Sequence, residues 1–316
     1  MATTSRIASM AAFLAPMLLA GCGGGDGGNM ASTPTPPFPL AKTTQFPATT
    51  ATTGYTGTLA SGLNGSNATV NPATTSGQSA ATTIAYDAAT ATYTVQANGI
   101  SASFAAADKT TSSGYATDFA KSADTLTLYG NAQGTSTASA PVALSYTSFA
   151  KWSHTDTASQ HTDITYFLFG TPTAGTSMPT SGTASYNATV AATKLSYNYA
   201  PTSGAALTGT ATLTADFAKA TVDTTLLLQP AGTGGSASTT SYTGTGTISA
   251  SNFAGAFSTG PTDFVSGTFT GGFYGPAAAE MGYAFALKLH TPDPFSGATV
   301  EPGDATIAGV AVGSKK

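Results

Sequence analysis

The feature that most restricts the fold of this chain is a two-residue alternation between apolar and hydroxyl-bearing side chains. From Leu207 to Phe217, odd-numbered positions are mainly apolar, and even-numbered positions are threonine or aspartate. Successive side chains of a β-strand point to opposite faces, so this pattern predicts a strand with one buried face. The alternation recurs in Ala184–Val190, Val265–Phe273 and Met281–Leu289. No window of twelve or more residues shows a helical apolar stripe, so the sequence predicts an all-β protein.

The composition excludes several classes of protein. Charged residues make up only 8% of the 316 residues, and the formal net charge is −4. Ten basic residues are too few for the clustered Lys and Arg that neutralise phosphates, so we expect no nucleic-acid partner. A single cysteine excludes a disulfide scaffold and a Cys-rich metal site. Threonine is β-branched and suits a solvated strand face. Polar threonine faces therefore explain how a protein with so few charges can be soluble.

The N-terminus carries a targeting signal. Arg6 precedes an apolar run, and the run ends in the four residues Leu19 to Cys22. That ending resembles a bacterial lipobox, so we predict a lipoprotein signal peptide at 1–21 and lipidation of Cys22. Acyl chains at this cysteine would anchor the protein stably in a membrane. Gly23 lacks the aspartate that retains many lipoproteins at the inner membrane, which favours the outer membrane. The alternative is an ordinary signal peptide followed by an unrelated cysteine.

The rest of the chain divides into three predicted parts. Residues 22–50 are rich in Gly and Pro and indicate a flexible tether. Residues 51–150 contain short strands and form a small antiparallel β-subdomain, in which 118–122 makes one helical turn at most. Residues 151–316 contain eight or nine longer strands, the first at 162–170. Closure removes sheet edges, so these strands predict an antiparallel barrel filled by side chains. A membrane-embedded barrel would show the same alternation and is the alternative.

Three stretches of the second half resemble one family of surface lipoproteins. A Gly-Gly-Phe-Tyr-Gly-Pro-Ala-Ala-Ala-Glu-Met-Gly run begins at Gly271, a Tyr-Phe-Leu-Phe-Gly strand lies at 166–170, and a closing strand lies at 307–316. These stretches are similar to the barrel domain of the transferrin-binding protein B family. The matching signature positions are Phe273, Tyr274, Gly275, Pro276, Ala278, Glu280 and Gly282. The resemblance implies a single-lobed member, with a "handle" at 51–150 followed by the barrel.

The signature has a structural interpretation. Gly275 and Pro276 are typical of a tight turn between two long strands. Glu280 is expected to accept backbone N–H bonds in that turn. The signature therefore identifies the family without locating a ligand site.

Motifs of catalysis are missing from the sequence. It contains no Gly-x-Ser-x-Gly element, His-Glu-x-x-His motif, phosphate-binding loop or Cys-x-x-Cys pair. Glutamate occurs only at Glu280 and Glu301, which makes a Glu-based acid–base pair difficult to build. We therefore expect a protein that is not an enzyme and that has no resident cofactor.

One short segment carries candidate ligand-binding residues. His154 and His161 are seven positions apart, with Trp152 just before them. Two histidines beside an aromatic ring could hold a haem iron or a metal, with Trp152 and Tyr146 flanking a porphyrin. The alternative is a polar loop between handle and barrel. Haem is thus the candidate ligand.

The resemblance implies capture of a ligand or host protein for nutrient acquisition. Such lipoproteins sit on the surface of Gram-negative bacteria, are exported by an outer-membrane translocon, and deliver solute, haem or iron carriers to a TonB-dependent receptor. The chain has room for one lobe and its loops carry few charges, so transferrin itself is not the expected partner. The alternative function is a surface adhesin, or binding of another host factor.

Overall fold

The strands of the protein form two antiparallel sheets. A computed structural model describes residues 37–38, 40–59, 68–112, 116–130, 143–196, 204–232, 238–290 and 305–316. These residues lie in one compact unit, Pro34–Lys316. Cys22 and the predicted signal peptide at 1–21 lie outside the described residues. Among the described residues, no helix is long and apolar enough to cross a membrane.

The first sheet, called the handle sheet, has nine strands. They are β1 (Thr44–Thr56), β2 (Thr69–Asp87), β3 (Thr92–Ala97), β4 (Ile100–Phe104), β5 (Lys109–Ser112), β6 (Ala116–Lys121), β7 (Asp124–Tyr129), β8 (Thr147–Asp156) and β9 (His161–Gly170). Their spatial order is β4-β3-β2-β1-β9-β8-β7-β6-β5. The N-terminal strand β1 therefore pairs with β9, the last strand of the sheet along the chain.

This pairing corrects both predicted boundaries of the handle. The predicted tether at 22–50 overlaps β1, which pairs with β2 from Thr44 and with β9 from Thr49. The predicted barrel at 151–316 starts too early, because β8 and β9 belong to the handle sheet and the first barrel strand begins at Thr183. Alternation identifies a strand but not its partner, and here the partner lies over a hundred residues away.

The second sheet is a closed eight-stranded antiparallel barrel. Its strands are β10 (Thr183–Ser196), β11 (Gly204–Asp216), β12 (Thr221–Pro230), β13 (Thr240–Ser249), β14 (Asn252–Thr259), β15 (Phe264–Tyr274), β16 (Glu280–Leu289) and β17 (Ala305–Lys315). Pairing of β10 with β17 closes the barrel. This confirms the all-β class and the barrel of eight strands.

Aromatic side chains fill the barrel, as predicted. The inward positions of the alternating strands form one buried apolar cluster. Its largest members are Tyr186, Phe253, Phe269, Phe273, Tyr283 and Phe285. The rings of Phe253 and Phe273 lie 5.1 Å apart and are tilted by 52°, a favourable aromatic arrangement. The interior is therefore a packed core.

Two local features become clear only in the structure. The apolar alternation slips between Ile248 and Phe253 because a tight hairpin joins β13 to β14 there, with Ala250 at a positive φ of 53°. The helical turn considered at 118–122 is mainly strand β6, which pairs with β5 and β7. In both cases pairing with neighbouring strands decides the local conformation.

A separate apolar cluster joins the handle sheet to the outside of the barrel. The handle contributes Ala51, Phe149, Ile164, Tyr166 and Leu168. The barrel contributes Ala191, Leu195, Ala284, Ala286, Ala308, Val310 and Val312. Small alanines on β16 and β17 let the two sheets approach closely, so the outer wall of the barrel is also a buried surface here.

Candidate binding site

The signature glutamate links the barrel to the handle. Glu280 begins β16 and is 5% exposed. Its two carboxylate oxygens accept the backbone N–H groups of Ser145 at 2.6 Å, Tyr146 at 2.9 Å and Thr147 at 2.8 Å. These residues lead into handle strand β8. One carboxylate therefore satisfies three backbone donors of a neighbouring subdomain.

This arrangement changes one prediction about the signature. Glu280 accepts N–H bonds as predicted, but from the segment before β8 and not from its own turn. Residues 143–146 form no regular strand, and the N–H groups of Ser145 and Tyr146 donate to this carboxylate. Burial raises the pKa of Glu280, and the three backbone N–H bonds oppose that rise.

The Gly-Pro turn of the signature is confirmed. Gly275 has φ 72°, and a Cβ placed on it would lie 2.4 Å from the Tyr146 ring. The Gly275 carbonyl accepts the hydroxyl of Thr173 at 2.7 Å. The carbonyl of Ala278 accepts the hydroxyl of Tyr186 at 2.7 Å. Glycine is needed at Gly275 both for its backbone conformation and for close approach of the handle segment.

The other signature residues divide between the two cores. Phe273 lies in the barrel interior, and Tyr274 lies in the cluster between handle and barrel. Gly282 faces the handle, since a Cβ there would lie 2.4 Å from Leu168. The structural interpretation of the signature therefore accounts for all of these positions.

The ligand candidates lie on one hairpin of the handle. His154 is on β8 and His161 begins β9, and the register places both side chains on the same face as Trp152. The segment is a β-hairpin within the handle, so the alternative of a loop between the two subdomains is wrong. His161 contacts Asp163 at 3.1 Å and Thr56 at 2.9 Å through its two ring nitrogens.

Asp124 of β7 holds the other two candidates. Its Oδ1 accepts the indole N–H of Trp152 at 2.9 Å and contacts Nδ1 of His154 at 2.8 Å. Sequence reasoning missed this residue, because only the pairing of β7 with β8 places it opposite His154. A carboxylate at one ring nitrogen fixes the orientation of a histidine and directs the other nitrogen outward.

Burial of Trp152 contradicts its predicted role beside a porphyrin. The indole is 3% exposed and packs in the handle core with Phe167 and Leu126. An internal ring cannot flank a ligand at the surface. Within the described part of the chain, no group of three or more His, Cys, Asp or Glu side chains is placed to hold a metal ion.

The barrel matches a known family model. Residues 178–315 match the model described as the C-lobe and N-lobe beta barrels of Tf-binding protein B. The matched range begins just before β10 and ends with β17, so it covers all eight barrel strands. No curated protein sequence matches this chain.

Two solved structures are similar to this chain over most of its length. A transferrin-binding protein B mutant from Haemophilus parasuis Hp5 is 16% identical, with a TM-score of 0.44, covering 80% of this chain and 46% of that one. HpuA from Kingella denitrificans in complex with human haemoglobin is 14% identical, with a TM-score of 0.40, covering 87% and 88%. The chain spans under half of the first of these structures. Since both TM-scores are below 0.5, the assignment rests on the barrel.

The protein is of a two-part, all-β class. Its barrel is filled by side chains, and part of the outer wall of the barrel is buried against a second β-sheet. The barrel strands, their closure and the signature turn are the features that place this chain within the class. The barrel of this chain, residues 178–315, is therefore a barrel domain of the transferrin-binding protein B type.

Proposed function

We propose that this protein is a surface-exposed outer-membrane lipoprotein that captures a ligand or host protein for nutrient acquisition, without catalysis. The observation that carries the proposal is the match of residues 178–315 to the barrels of Tf-binding protein B. The HpuA structure contains human haemoglobin, so a haem or iron carrier is the class of cargo to test first. A TonB-dependent receptor would then take up the cargo.

The anchor in this proposal is the acylated Cys22. The apolar run that ends at Cys22 supports cleavage and lipidation there. Described structure begins at Pro37, so fourteen residues separate the acylated cysteine from it. Export to the outer leaflet would need an outer-membrane lipoprotein translocon.

Protease treatment of intact cells tests surface display. We expect an external protease to degrade the wild-type protein on whole cells. A Cys22→Ala variant, which cannot be acylated, should be absent from the outer membrane. Protection in intact cells with degradation after lysis would contradict surface capture. Co-purification with a TonB-dependent receptor supports uptake, whereas binding to a host polymer or regulator without that receptor would favour the adhesin alternative.

Haem binding is the second measurement. The candidates are His154, whose ring Asp124 orients, and His161. Absorbance titration with haem would show a saturable Soret shift that His154→Ala or His161→Ala removes and that His290→Ala keeps. An unchanged titration would exclude haem and leave a protein as the cargo.

A further inference from the structure

A row of polar side chains crosses four strands of the handle sheet, on the face that also packs against the barrel. Strand register places Tyr166 of β9 opposite Lys151 of β8, Lys151 opposite Thr127 of β7, and Thr127 opposite Asp118 of β6. Directly paired residues of antiparallel strands lie on one face with adjacent side chains. We call these four residues the polar row.

Lys151 is a partly buried cation with no ion-pair or hydrogen-bond partner among the described residues. It lies two positions after Phe149, a buried residue of the cluster between handle and barrel. Within the described ranges, its ammonium makes no ion pair and no hydrogen bond. Burial lowers the pKa of Lys151, and the charge of Asp118 only partly opposes this. Burial removes water from a cation, which is destabilising unless a hydrogen-bond acceptor replaces that water. Here a ligand would supply the acceptor.

Tyr129 offers a second donor on the same face, because it lies on β7 two positions after Thr127, the residue opposite Lys151. Its ring stacks on Phe149, with centroids 3.9 Å apart and planes inclined by 18°. Among the described residues, nothing accepts a hydrogen bond from its hydroxyl. Burial raises the pKa of Tyr129, and the charge of Asp118 adds to the rise, so the phenol stays protonated. The ring is fixed by stacking while its O–H remains available.

The neighbouring polar groups are already engaged. Oδ1 of Asp118 accepts the hydroxyl of Thr127 at 2.7 Å, and Oδ2 accepts the hydroxyl of Thr111. The hydroxyl of Tyr166 is bonded to Thr193 of the barrel at 2.8 Å. Within the described residues, no hydrogen bond joins Asp118 or Tyr166 to the ammonium of Lys151 or the hydroxyl of Tyr129.

We propose that Lys151 and Tyr129 bind a carboxylate group of a ligand at the edge of the handle–barrel contact. One carboxylate oxygen would accept from the ammonium and the other from the phenol, which are charge-assisted and neutral bonds respectively. The carboxylate can belong to a small organic acid or to an acidic side chain of a protein. This site is independent of the proposed nutrient capture, so either proposal can fail alone.

Lysine-selective NMR tests the site on the full chain, purified in detergent and labelled with ε-¹³C lysine. The signal missing from Lys151→Met identifies Lys151. We expect citrate to shift this signal saturably beyond the effect of sodium chloride at equal ionic strength. Lys219 serves as the control, because it is exposed and paired with Asp216 at 2.9 Å. Its signal should follow ionic strength alone.

Tyr129→Phe keeps the stacked ring and removes the donor. We expect it to weaken citrate binding about tenfold, the effect of one lost hydrogen bond. A triglutamate peptide provides the second arm: a shift with citrate alone indicates a small acid, and a shift with the peptide indicates a protein side chain. No saturable shift with either probe, equal shifts at Lys219, or unchanged affinity in Tyr129→Phe would each overturn the proposal.

Discussion

The carboxylate of Glu280 accepts the backbone N–H of Thr147 at 2.8 Å, although 133 positions separate the two residues in the chain. Ser145 and Tyr146 donate to the same carboxylate. A side chain at the start of a barrel strand thus determines the path of the chain into a handle strand. In this protein, the segment from Phe273 to Gly282 connects the two β-sheets.

Removing the Glu280 carboxylate should destabilise the whole protein. Glu280→Ala leaves three backbone N–H groups without their acceptor, and we expect a loss of about 3 kcal/mol in the free energy of unfolding. Urea denaturation provides the measurement. Asp223→Asn, at an exposed carboxylate of β12, is the matched control and should change stability little. Equal stability of both variants would show that the three bonds contribute nothing net.

Alanine at Gly275 should cost more stability than alanine at another glycine with a similar φ. Gly275 has φ 72° and meets the Tyr146 ring, whereas Gly99 has φ 77° and nothing within 4 Å of a built Cβ. Gly99→Ala measures the cost of a positive φ without a clash, about 1 kcal/mol. Gly275→Ala adds the clash and an extended ψ of −176° that alanine disfavours, so its melting temperature should fall further. Similar melting temperatures for the two variants would mean that Tyr146 moves away freely.

The hydrogen bond between Tyr166 and Thr193 should couple handle and barrel. Their hydroxyls lie 2.8 Å apart in a buried position. A double-mutant cycle of Tyr166→Phe and Thr193→Val should give a coupling energy of about 1 kcal/mol. Tyr166→Phe with Thr52→Val, a pair that shares no hydrogen bond, is the control cycle. Additive effects in the first cycle would contradict a direct contribution of this bond.

The handle and the barrel should unfold together. Trp152 is the only tryptophan and lies in the handle core, so its fluorescence reports on that sheet alone. The apolar cluster between the two sheets would be exposed if either unfolded separately. We expect urea transitions followed by tryptophan fluorescence and by far-ultraviolet circular dichroism to coincide. A fluorescence transition at lower urea would show that the handle unfolds first.

Lowering the pH should increase the contribution of Glu280 to the stability of the folded protein. Burial raises the pKa of Glu280, so over the interval between its unfolded and folded pKa the native state binds more protons. The contribution of this group to stability is then full below the unfolded pKa and is lost as the pH rises through the folded value. The stability of wild type relative to Glu280→Gln should therefore increase as the pH falls towards 4.5. A constant difference would contradict the raised pKa.

Local patterns predicted the strands and the closed barrel. Alternation over 207–217 and 281–289 identified β11 and β16, because the direction of a strand side chain depends only on its position in the strand. Gly275 and Pro276 predicted the turn for the same local reason. Lipidation at Cys22 stays a prediction, as it lies outside the described residues.

Pairing of distant segments decided which strands are neighbours and which side chains lie together. The partner of β9 is β1, and no pattern within either strand specifies that choice. His154 was identified as a candidate from its type, but Asp124, which holds it, follows only from the register of β7 and β8. The same register places Lys151 and Tyr129 on one face of the handle sheet.

The sequence by itself determined which segments are strands, which of their faces is apolar, and how few charges the surface carries, since each depends on neighbours along the chain. The tertiary structure decided which faces meet. It buried Trp152 where an exposed ring was predicted, and it directed Glu280 to the handle and not to its own turn. Burial and hydrogen-bond partners depend on groups that are distant in sequence, and those become neighbours only when both sheets have formed.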